Sequence, residues 1–568
     1  MIKIQKSTLV PEVNPSREFL EIASDFSNPL DIVREAVSNS FDAKATEIYI
    51  LFSIISERGR KKLEITIRDN GEGMDYNGLK SFFDLGNSLR RDEKSEDTSL
   101  IGEKGHGTKI YFNSEKVYLT TGTKNIKLSA VMDNPLGYLY EGEVPIVEVE
   151  ETNESFNGTF IQVVGYNNNE RDVFNHDRLK DYIFWFTKFG SFENEISGGT
   201  DYNNVKLFLK GVDRDNTEEL TFGHKFPLES GSLEKLFDKH VADAPDYFVK
   251  KWLFEGTLRK FPDIKYQSVF YVEGNKAKRS FNNMIRRSGY TAPEGAYTVQ
   301  ERYGIWLSKD FIPVQRKNEW ITSRGSEYTK FHAFFNCQDI KLTANRGSVD
   351  NTSGEILEEI KNTIKEIYLK ITESVDWENL EYLEEQSHAY ISEKKESRDF
   401  DRRKNFINST KVAEYKNVVL REPRQEQGVF AIYHAIDLLT PELFPFEIVD
   451  YDTHAGIDVL ARIKNSGVDL ERSSFRFVEF KHLLKENFNH SFKRLYGIVC
   501  WKLNLKNDDT VKDVFGSIRK LKCVPKTTDK SYTQYFLEDE RDPHRIEIIV
   551  LEEFLQEKLE IVFKRSKG

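Results

Sequence analysis

The alternation of apolar and polar residues predicts a chain that mixes helices and strands. Residues 29–43 place apolar side chains at helical spacing, whereas residues 63–69 alternate as a strand does. Residues 303–314 have the pattern of a β-hairpin, and residues 353–403 follow a charged, amphipathic helical pattern. After Pro423 an amphipathic helix precedes three short apolar segments. These patterns together predict a multidomain protein of the α+β and α/β classes.

Length and composition limit the number of domains, the cellular location and the type of nucleic-acid contact that we expect. A length of 568 residues predicts three or four domains. We expect a cytoplasmic protein without a membrane span, because no stretch of 18 apolar residues or signal peptide is visible and Cys337, Cys500 and Cys523 form no CxxC pair. The net charge of −11 argues against a protein that coats nucleic acid along its whole surface, but it leaves room for a local basic groove.

The predicted helix at residues 29–43 carries three polar residues on one face. Glu35, Asn39 and Asp42 are spaced i, i+4 and i+7, which aligns them along a helix. A carboxylate one turn before a carboxamide suits general-base activation of water beside a metal ion. Magnesium keeps several waters, so that one Asn oxygen and phosphate oxygens suffice as ligands. An amphipathic helix with a solvated polar face has the same spacing.

Two glycine-containing motifs follow. The strand predicted at residues 63–69 ends at Asp69, and Gly71 and Gly73 let the backbone after it approach a flat ligand, although ordinary turns share this pattern. Farther along, glycines and basic residues precede a helical pattern from Thr108 to Phe112, an arrangement that favours phosphate binding. The residues of this second motif are Gly102, Lys104, Gly105, His106, Gly107, Thr108 and Lys109. A P-loop is excluded because GxxxxGK[ST] is absent.

In this order and at this spacing the motifs resemble the ATP site of the GHKL family, which includes MutL, type II topoisomerases, ninety-kilodalton heat-shock chaperones and MORC proteins. The resemblance implies an N-terminal Bergerat-type α/β sandwich that binds ATP and Mg²⁺, with Glu35 as catalytic base. It implies that Asn39 ligates Mg²⁺ and that Thr159, on a central strand, supports an adenine-binding Asp69. The implied nucleotide-binding residues are Asn39, Asp42, Asp69, Gly71, Gly73, Met74, Gly102, Lys104, Gly105, His106, Gly107, Thr108 and Thr159. The glycine-rich lid is most similar to those of MORC-like and bacterial chaperone-like ATPases.

Two features of the next region suggest function. Residues 339–346 resemble the loop that carries the sensor lysine in MutL and MORC proteins, and Arg346 stands at the basic position. An arginine can make a bidentate contact to phosphate, although a surface arginine after a strand is the alternative. Residues 275–290 contain five basic and no acidic residues, which indicates either a DNA-backbone contact or a solvated face. The five are Lys276, Lys278, Arg279, Arg286 and Arg287.

The C-terminal region carries a second candidate site. Asp458 lies in an apolar segment, and Glu479 and Lys481 lie on one side of a later predicted strand. This pattern resembles the PD-(D/E)xK nucleases, which implies that Asp458 and Glu479 hold Mg²⁺ or Mn²⁺, with Glu426 as a further possible ligand and Lys481 as a catalytic residue. A strand with a surface ion pair is the alternative. We expect residues 489–501 to form the next helix, presenting His490, Lys493 or Tyr496 to the site.

The resemblances imply four domains. They are a GHKL ATPase domain (1–195), an α/β transducer domain with the sensor residue (196–370), a charged helical connector (371–420) and a restriction-endonuclease-like α/β domain (421–568). We therefore expect an ATP-dependent homodimer that processes DNA and gates a nuclease, with or without a further partner subunit, in bacterial defence against foreign DNA. The alternative is a chaperone-like or MORC-like ATPase whose C-terminal module binds DNA or protein without cutting.

Overall fold

The chain forms two compact units, Met1–Ser392 and Glu393–Gly568. The computed structural model describes residues 13–26, 28–85, 107–123, 126–198, 201–321, 325–343, 346–451, 458–464, 469, 473–528 and 530–565. Both units combine helices with mixed sheets, which confirms a multidomain α+β protein. In these ranges no helix is both long and apolar enough to cross a membrane.

An eight-stranded mixed sheet forms the first part of the first unit. Its strands are β1 (Glu47–Glu57), β2 (Arg60–Asp69), β3 (Lys116–Thr123), β4 (Ile126–Asp133), β5 (Glu148–Thr152), β6 (Gly158–Val164), β7 (Lys206–Lys210) and β8 (Glu218–Thr221). They lie in the order β5-β4-β3-β6-β2-β1-β7-β8, and β1 and β7 are parallel. The sheet therefore extends beyond residue 195, where the predicted ATPase domain ends.

Besides a short helical turn at Tyr166–Asn169, six helices in the described ranges accompany this sheet. They are α1 (Pro15–Ser24), α2 (Asp31–Asp42), α3 (Tyr76–Phe83), α4 (Pro135–Glu141), α5 (His176–Phe186) and α6 (Glu193–Ser197). The predicted helix at residues 29–43 is confirmed as α2. Its apolar residues, including Ile32, Val33 and Val37, belong to the same buried core as the inward residues of β1 and β2. Burial of this apolar stripe fixes which side chains of α2 are left for the site.

A five-stranded sheet forms the second part of the first unit. Its strands, β9 (Val249–Leu258), β10 (Phe261–Glu273), β11 (Gly304–Lys309), β12 (Ile312–Arg316) and β13 (Phe331–Cys337), lie in the order β12-β11-β13-β10-β9. Helices α7 (Leu233–His240), α8 (Asn275–Phe281) and α9 (Gly354–Thr372) lie in this part, with a short helical turn at Val299–Arg302, and α10 (Val375–Ser409) begins in this unit and continues into the second unit. The antiparallel pairing of β11 with β12 confirms the hairpin predicted at residues 303–314.

A buried chain of hydrogen bonds joins the two sheets of this unit. Nε2 of His224, which follows β8, lies 2.9 Å from Nε2 of His332 on β13, and Nδ1 of His332 lies 2.8 Å from Glu273 Oε1. Nδ1 of His224 lies 2.7 Å from the Phe184 carbonyl oxygen, which can only accept. Burial lowers the pKa of His224 far below its usual value and keeps the ring neutral. His224 therefore donates from Nδ1 and accepts from His332 at Nε2.

The second unit is built on two further sheets. Strands β14 (Lys411–Tyr415), β15 (Val418–Arg421) and β24 (Lys564–Arg565) form a small one in the order β15-β14-β24. The larger contains β16 (Phe446–Tyr451), β17 (Asp458–Ile463), β18 (Arg476–Leu484), β19 (Leu495–Leu503), β20 (Thr510–Lys512), β21 (Ile518–Val524), β22 (Gln534–Asp539) and β23 (Asp542–Val550). Its order is β16-β17-β18-β19-β23-β22-β21-β20. The helices are α11 (Glu426–Leu439) and α12 (Leu551–Leu559).

The prediction of a helix at residues 489–501 is wrong. Only Phe492–Arg494 form a 3-10 turn, and the following residues form β19, which is parallel to both β18 and β23. Val499 and Trp501 are fully buried there. A strand enclosed by parallel neighbours is apolar on both faces, so its sequence lacks the alternation that identifies an exposed strand.

Candidate functional site

The polar face of α2 carries the predicted catalytic base. Glu35 and Asp42 are 8% and 9% exposed, and Asn39 is half-buried. Arg34 lies between two carboxylates, with Nη1 3.2 Å from Asp31 Oδ1 and Nε 3.6 Å from Glu35 Oε1. Such a fixed cation orients the Glu35 carboxylate. The roles of Glu35, Asn39 and Asp42 stay predictions.

Gly107 brings the end of the predicted phosphate loop to Glu35. A Cβ atom at Gly107 would lie 1.9 Å from Glu35 Oε2, so only glycine leaves this carboxylate where it is. Gly107 opens a 3-10 helix, Gly107–Phe112, where the sequence pattern predicted helical residues from Thr108 onward. The other loop residues predicted to bind nucleotide, Gly102, Lys104, Gly105 and His106, lie outside the described residues.

Asp69 lies at the end of β2 in a closely packed turn. Its Oδ1 accepts a hydrogen bond of 2.9 Å from the Gly71 backbone N–H. A Cβ at Gly71 would lie 2.6 Å from the Ala43 carbonyl oxygen, and one at Gly73 would lie 1.9 Å from that of Gly122. Gly73 also has a φ of +70°, which glycine adopts without strain. The turn therefore requires both glycines and holds the Asp69 carboxylate in place.

Thr159 lies beside Asp69, as the resemblance implied. The two residues are directly opposite in the pairing of β2 with β6, and Thr159 is directly opposite Thr121 on β3. Thr121 Oγ1 accepts a hydrogen bond of 2.9 Å from the Met74 backbone N–H and lies 3.3 Å from Thr159 Oγ1. Thr121 carries no signal in the sequence, because only the register of β3 with β6 shows that it reaches the turn.

Tyr111 was also missed. Its hydroxyl is fully buried and has no hydrogen-bond partner among the described residues. Burial raises the pKa of Tyr111, and the nearby carboxylates of Glu35 and Asp69 raise it further. The hydroxyl therefore lies within the electrostatic influence of both predicted site carboxylates. An aromatic residue on a short apolar helix carries no such signal in the sequence.

Lys109 does not supply the phosphate-binding charge that the sequence suggested. It is fully buried, and its Nζ donates to the Phe82 carbonyl oxygen at 2.8 Å and to Thr108 Oγ1 at 2.9 Å. Phe82 lies in the last turn of α3, whose carbonyl oxygens have no partner within the helix. Burial lowers the pKa of Lys109 to about 7, against a smaller opposing effect of Asp84. Lys109 thus stabilises the end of α3.

Arg346, the predicted sensor, pairs with a carboxylate of the β11–β12 hairpin. Its Nη2 lies 3.2 Å from Oδ2 of Asp310, which is buried in the turn between the two strands. Arg346 has a φ of 55°, in the left-handed region that non-glycine residues rarely adopt. Its role as sensor stays a prediction.

The basic segment at residues 275–290 is only partly available to a ligand. Lys278 is buried, and its ammonium donates to the carbonyl oxygens of Glu273 and Lys330. Burial lowers the pKa of Lys278 to about 8. The prediction that Lys278 contacts DNA is therefore wrong. Arg286 and Arg287 are exposed.

The second unit brings four residues of the C-terminal candidate site together. On β18, Glu479 and Lys481 are 2% and 8% exposed, and Lys481 Nζ lies 2.5 Å from Glu479 Oε1. Lys481 Nζ is also 3.3 Å from Glu426 Oε1 on α11, and His490 Nε2 is 3.2 Å from Glu479 Oε1. Burial alone would lower the pKa of Lys481, but the hydrogen bond and charge of Glu479, with Glu426, raise it. This ion pair is buried, unlike the surface pair of the alternative interpretation.

The metal-binding part of this prediction is not shown. The backbone of Asp458 lies directly opposite Glu479 in the pairing of β17 with β18, but its side chain lies outside the described residues. Among the side chains that the structure describes, no three His, Cys, Asp or Glu residues are grouped to hold a metal ion. The roles of Asp458, Glu479, Lys481 and Glu426 therefore stay predictions.

Comparison with known proteins identifies part of the first unit. Residues 28–135 match the family model described as histidine kinase-, DNA gyrase B-, and HSP90-like ATPase. No curated protein matches the chain. A solved structure titled "Crystal Structure of N terminal domain of a DNA repair protein" aligns at 15% identity and a TM-score of 0.34, covering 63% of this chain and 98% of that chain. The chain thus contains a GHKL-type ATPase domain, and domains of this type bind ATP with Mg²⁺.

Proposed function

We propose that the chain is an ATP-dependent, DNA-processing enzyme. ATP binding would close two GHKL domains into a homodimer, and hydrolysis would control a metal-dependent nuclease in the C-terminal unit. A role in bacterial defence against foreign DNA is part of this proposal and rests on the resemblance of the architecture. The observation that carries the proposal is that Gly107 meets Glu35 and Thr159 lies opposite Asp69 in a domain of which residues 28–135 match the GHKL family model.

The chain's own residues suit the steps of ATP hydrolysis. Asp69 accepts from the adenine amino group, and the closely packed glycine turn after it holds the Asp69 carboxylate in place for this contact. Glu35 takes a proton from the attacking water, while Arg34 holds its carboxylate in position. Asn39 would give Mg²⁺ an oxygen ligand, and the ion neutralises phosphate charge when bound.

The C-terminal cluster supports hydrolysis of phosphodiester bonds. Lys481 is charged and held by two carboxylates, so it can orient a water molecule or stabilise a phosphate oxygen. Glu479 would provide carboxylate oxygen to Mg²⁺ or Mn²⁺, together with Asp458 and with Glu426 as a further ligand. A divalent ion bound there would activate the water and stabilise the leaving oxygen.

The ATPase part is tested by two variants with different expected effects. Glu35→Ala should bind ATP but hydrolyse it at least a hundredfold more slowly, because general-base catalysis contributes about 10²–10⁴-fold. Asp69→Ala should lose binding, measured by calorimetry with ATP and Mg²⁺. Turnover at the wild-type rate in both variants would refute the site.

The nuclease part is tested with linear, nicked and supercoiled plasmid DNA in Mg²⁺ or Mn²⁺, with and without ATP. We expect cleavage that depends on ATP. Lys481→Gln should abolish the cleavage, and Glu35→Ala should remove its dependence on ATP. Thermal melting of both variants controls for folding, since Lys481 is buried. Cleavage by Lys481→Gln at the wild-type rate would refute the site.

A second candidate function is a chaperone-like or MORC-like ATPase with a C-terminal module that binds without cutting. It is favoured by the ion pairs of Glu479 with Lys481 and His490, which already engage the carboxylate that a metal ion would need. ATP turnover without any plasmid cleavage, together with full biological activity of Lys481→Gln, would support it.

A further inference from the structure

The C-terminal unit carries an exposed apolar hairpin tip next to the Glu479–Lys481 cluster. Strands β20 and β21 pair as an antiparallel hairpin whose turn is formed by residues 513–517. Phe515 is 80% exposed, Val514 61% and Ile518 55%. Val514, Phe515 and Ile518 thus form one exposed apolar patch at the tip, and exposed apolar patches are a feature of contact sites for ligands and partners.

The turn is rigid. Asp513 is 5% exposed, and its Oδ1 accepts from the backbone N–H groups of Phe515 at 2.9 Å and Ser517 at 2.8 Å. Its Oδ2 accepts from the Phe492 backbone N–H at 3.2 Å. Gly516 has a φ of 86°, which closes the turn without strain. A buried carboxylate thus holds the backbone of the turn that carries Phe515.

The hairpin is joined to the loop that reaches the candidate nuclease cluster. The Lys512 backbone N–H donates to the Glu486 carbonyl oxygen, and the Phe488 N–H donates to that of Lys512, both at 2.8 Å. This loop begins after β18 and carries His490 to within 3.2 Å of Glu479. Movement of the hairpin tip would therefore also move the loop that carries His490.

Basic side chains surround the tip. Lys512 and Lys520 flank the turn, and Lys485, Lys493 and Arg494 lie on the loop to which it is joined. All five are exposed. Within the described residues, only Lys520 among them has an acidic partner in an ion pair, Glu540 at 3.8 Å. An apolar point with several basic side chains on its own hairpin and on the adjoining loop is complementary to a duplex, whose stacked bases lie between two rows of phosphates.

We propose that Phe515 is a wedge that inserts between stacked base pairs of duplex DNA while the surrounding basic residues contact phosphates. Proteins that kink DNA insert Phe, Leu, Ile or Met side chains between base steps in this way. The proposal rests on the proposed function, because it identifies duplex DNA as the ligand of the C-terminal unit. It adds the prediction that distortion of the duplex occurs beside Glu479 and Lys481.

The test measures bending and affinity separately. A duplex of about 30 base pairs with a fluorophore at each end reports bending by energy transfer, and anisotropy over a range of NaCl concentrations reports affinity and its salt slope. The full chain should bend the duplex. Phe515→Ser should abolish the bend and weaken binding about tenfold without changing the salt slope, because no charge is removed. Phe515→Leu should keep the bend.

Two control variants separate the wedge from its surroundings. Phe400→Ala removes another exposed phenylalanine, 66% exposed on α10, and should change neither measurement. The double variant Lys512→Ala, Lys520→Ala should lower the salt slope by about two and keep the bend.

The failures of the two proposals are distinguishable. If Phe515→Ser bends and binds DNA as the wild type does, the wedge is refuted and the nuclease proposal stands. If bending requires Phe515 but Lys481→Gln cuts as well as the wild type, the nuclease site is refuted and the wedge stands. Binding to anionic vesicles instead of duplex DNA, lost in Phe515→Ser, would overturn the wedge in favour of a membrane contact.

Discussion

Replacing Gly107 by alanine should disable hydrolysis while leaving nucleotide binding intact. The new Cβ would lie 1.9 Å from Glu35 Oε2, whereas ordinary contact begins at 3.4 Å, so the carboxylate must move by about 1.5 Å. The obstructing atom is the end of a flexible side chain, so Glu35 can rotate away at little cost in stability.

A displacement of this size is large for a catalytic base. Misplacing a reacting group by about 1 Å can reduce a rate about a hundredfold. We therefore expect the kcat for ATP hydrolysis to fall about a hundredfold in Gly107→Ala, with a Kd for ATP within about threefold of the wild type. Phosphate release under saturating ATP gives kcat, and calorimetry gives Kd.

Two comparisons make the result specific. Gly231→Ala is the matched control, because among the described residues nothing lies within 4 Å of a Cβ at that position. If Gly107→Ala acts by displacing Glu35, adding it to Glu35→Gln should lower kcat no further. Turnover of Gly107→Ala within fivefold of the wild type would refute the predicted role of Glu35 or the position of the loop.

Other predictions follow from buried groups. Lys109 has a pKa of about 7 when folded and about 10.4 when unfolded, so between these pH values unfolding takes up a proton and the free energy of unfolding should rise with pH. Lys109→Met should flatten this rise in urea titrations from pH 7 to 9. An unchanged slope would contradict the assignment. Tyr111→Phe removes a buried hydroxyl without a partner among the described residues and should raise the free energy of unfolding without nucleotide by about 1 kcal/mol; a loss of stability in the same titration would refute this. Arg346→Gln should lower ATP turnover at least a hundredfold if Arg346 contacts phosphate. Asp310→Asn removes the ion-pair partner of Arg346 and should retain turnover. Equal loss in both variants would indicate a structural role.

The sequence predicted those parts of the site that depend on local spacing. The side chains of Glu35 and Asp42 lie on one helical face because their spacing follows the helix, and the strand before Asp69 alternates as β2 does. Thr121 and Tyr111 could not be found this way, because their relation to the site depends on strand register and burial. Long-range packing, not local pattern, determines both.

The C-terminal unit shows the same limit. Helix α11 and strand β18 have clear periodicity, and both were predicted. The strand β19 was mistaken for a helix because burial on both faces removes its alternation. The basic segment at residues 275–290 predicted a DNA contact by all five of its basic side chains. Lys278 instead donates to carbonyl oxygens.

The chain from Phe184 through His224 and His332 to Glu273 also constrains motion in the first unit. The directions of its two links at His224 are fixed, so a proton added to His224 would set two N–H groups against each other at the 2.9 Å contact. Because burial holds the pKa of His224 far below neutrality, this repulsion does not arise near pH 7. The hydrogen bond between the two sheets therefore stays closed under working conditions. We expect this contact between the eight-stranded and five-stranded sheets to persist when nucleotide binds.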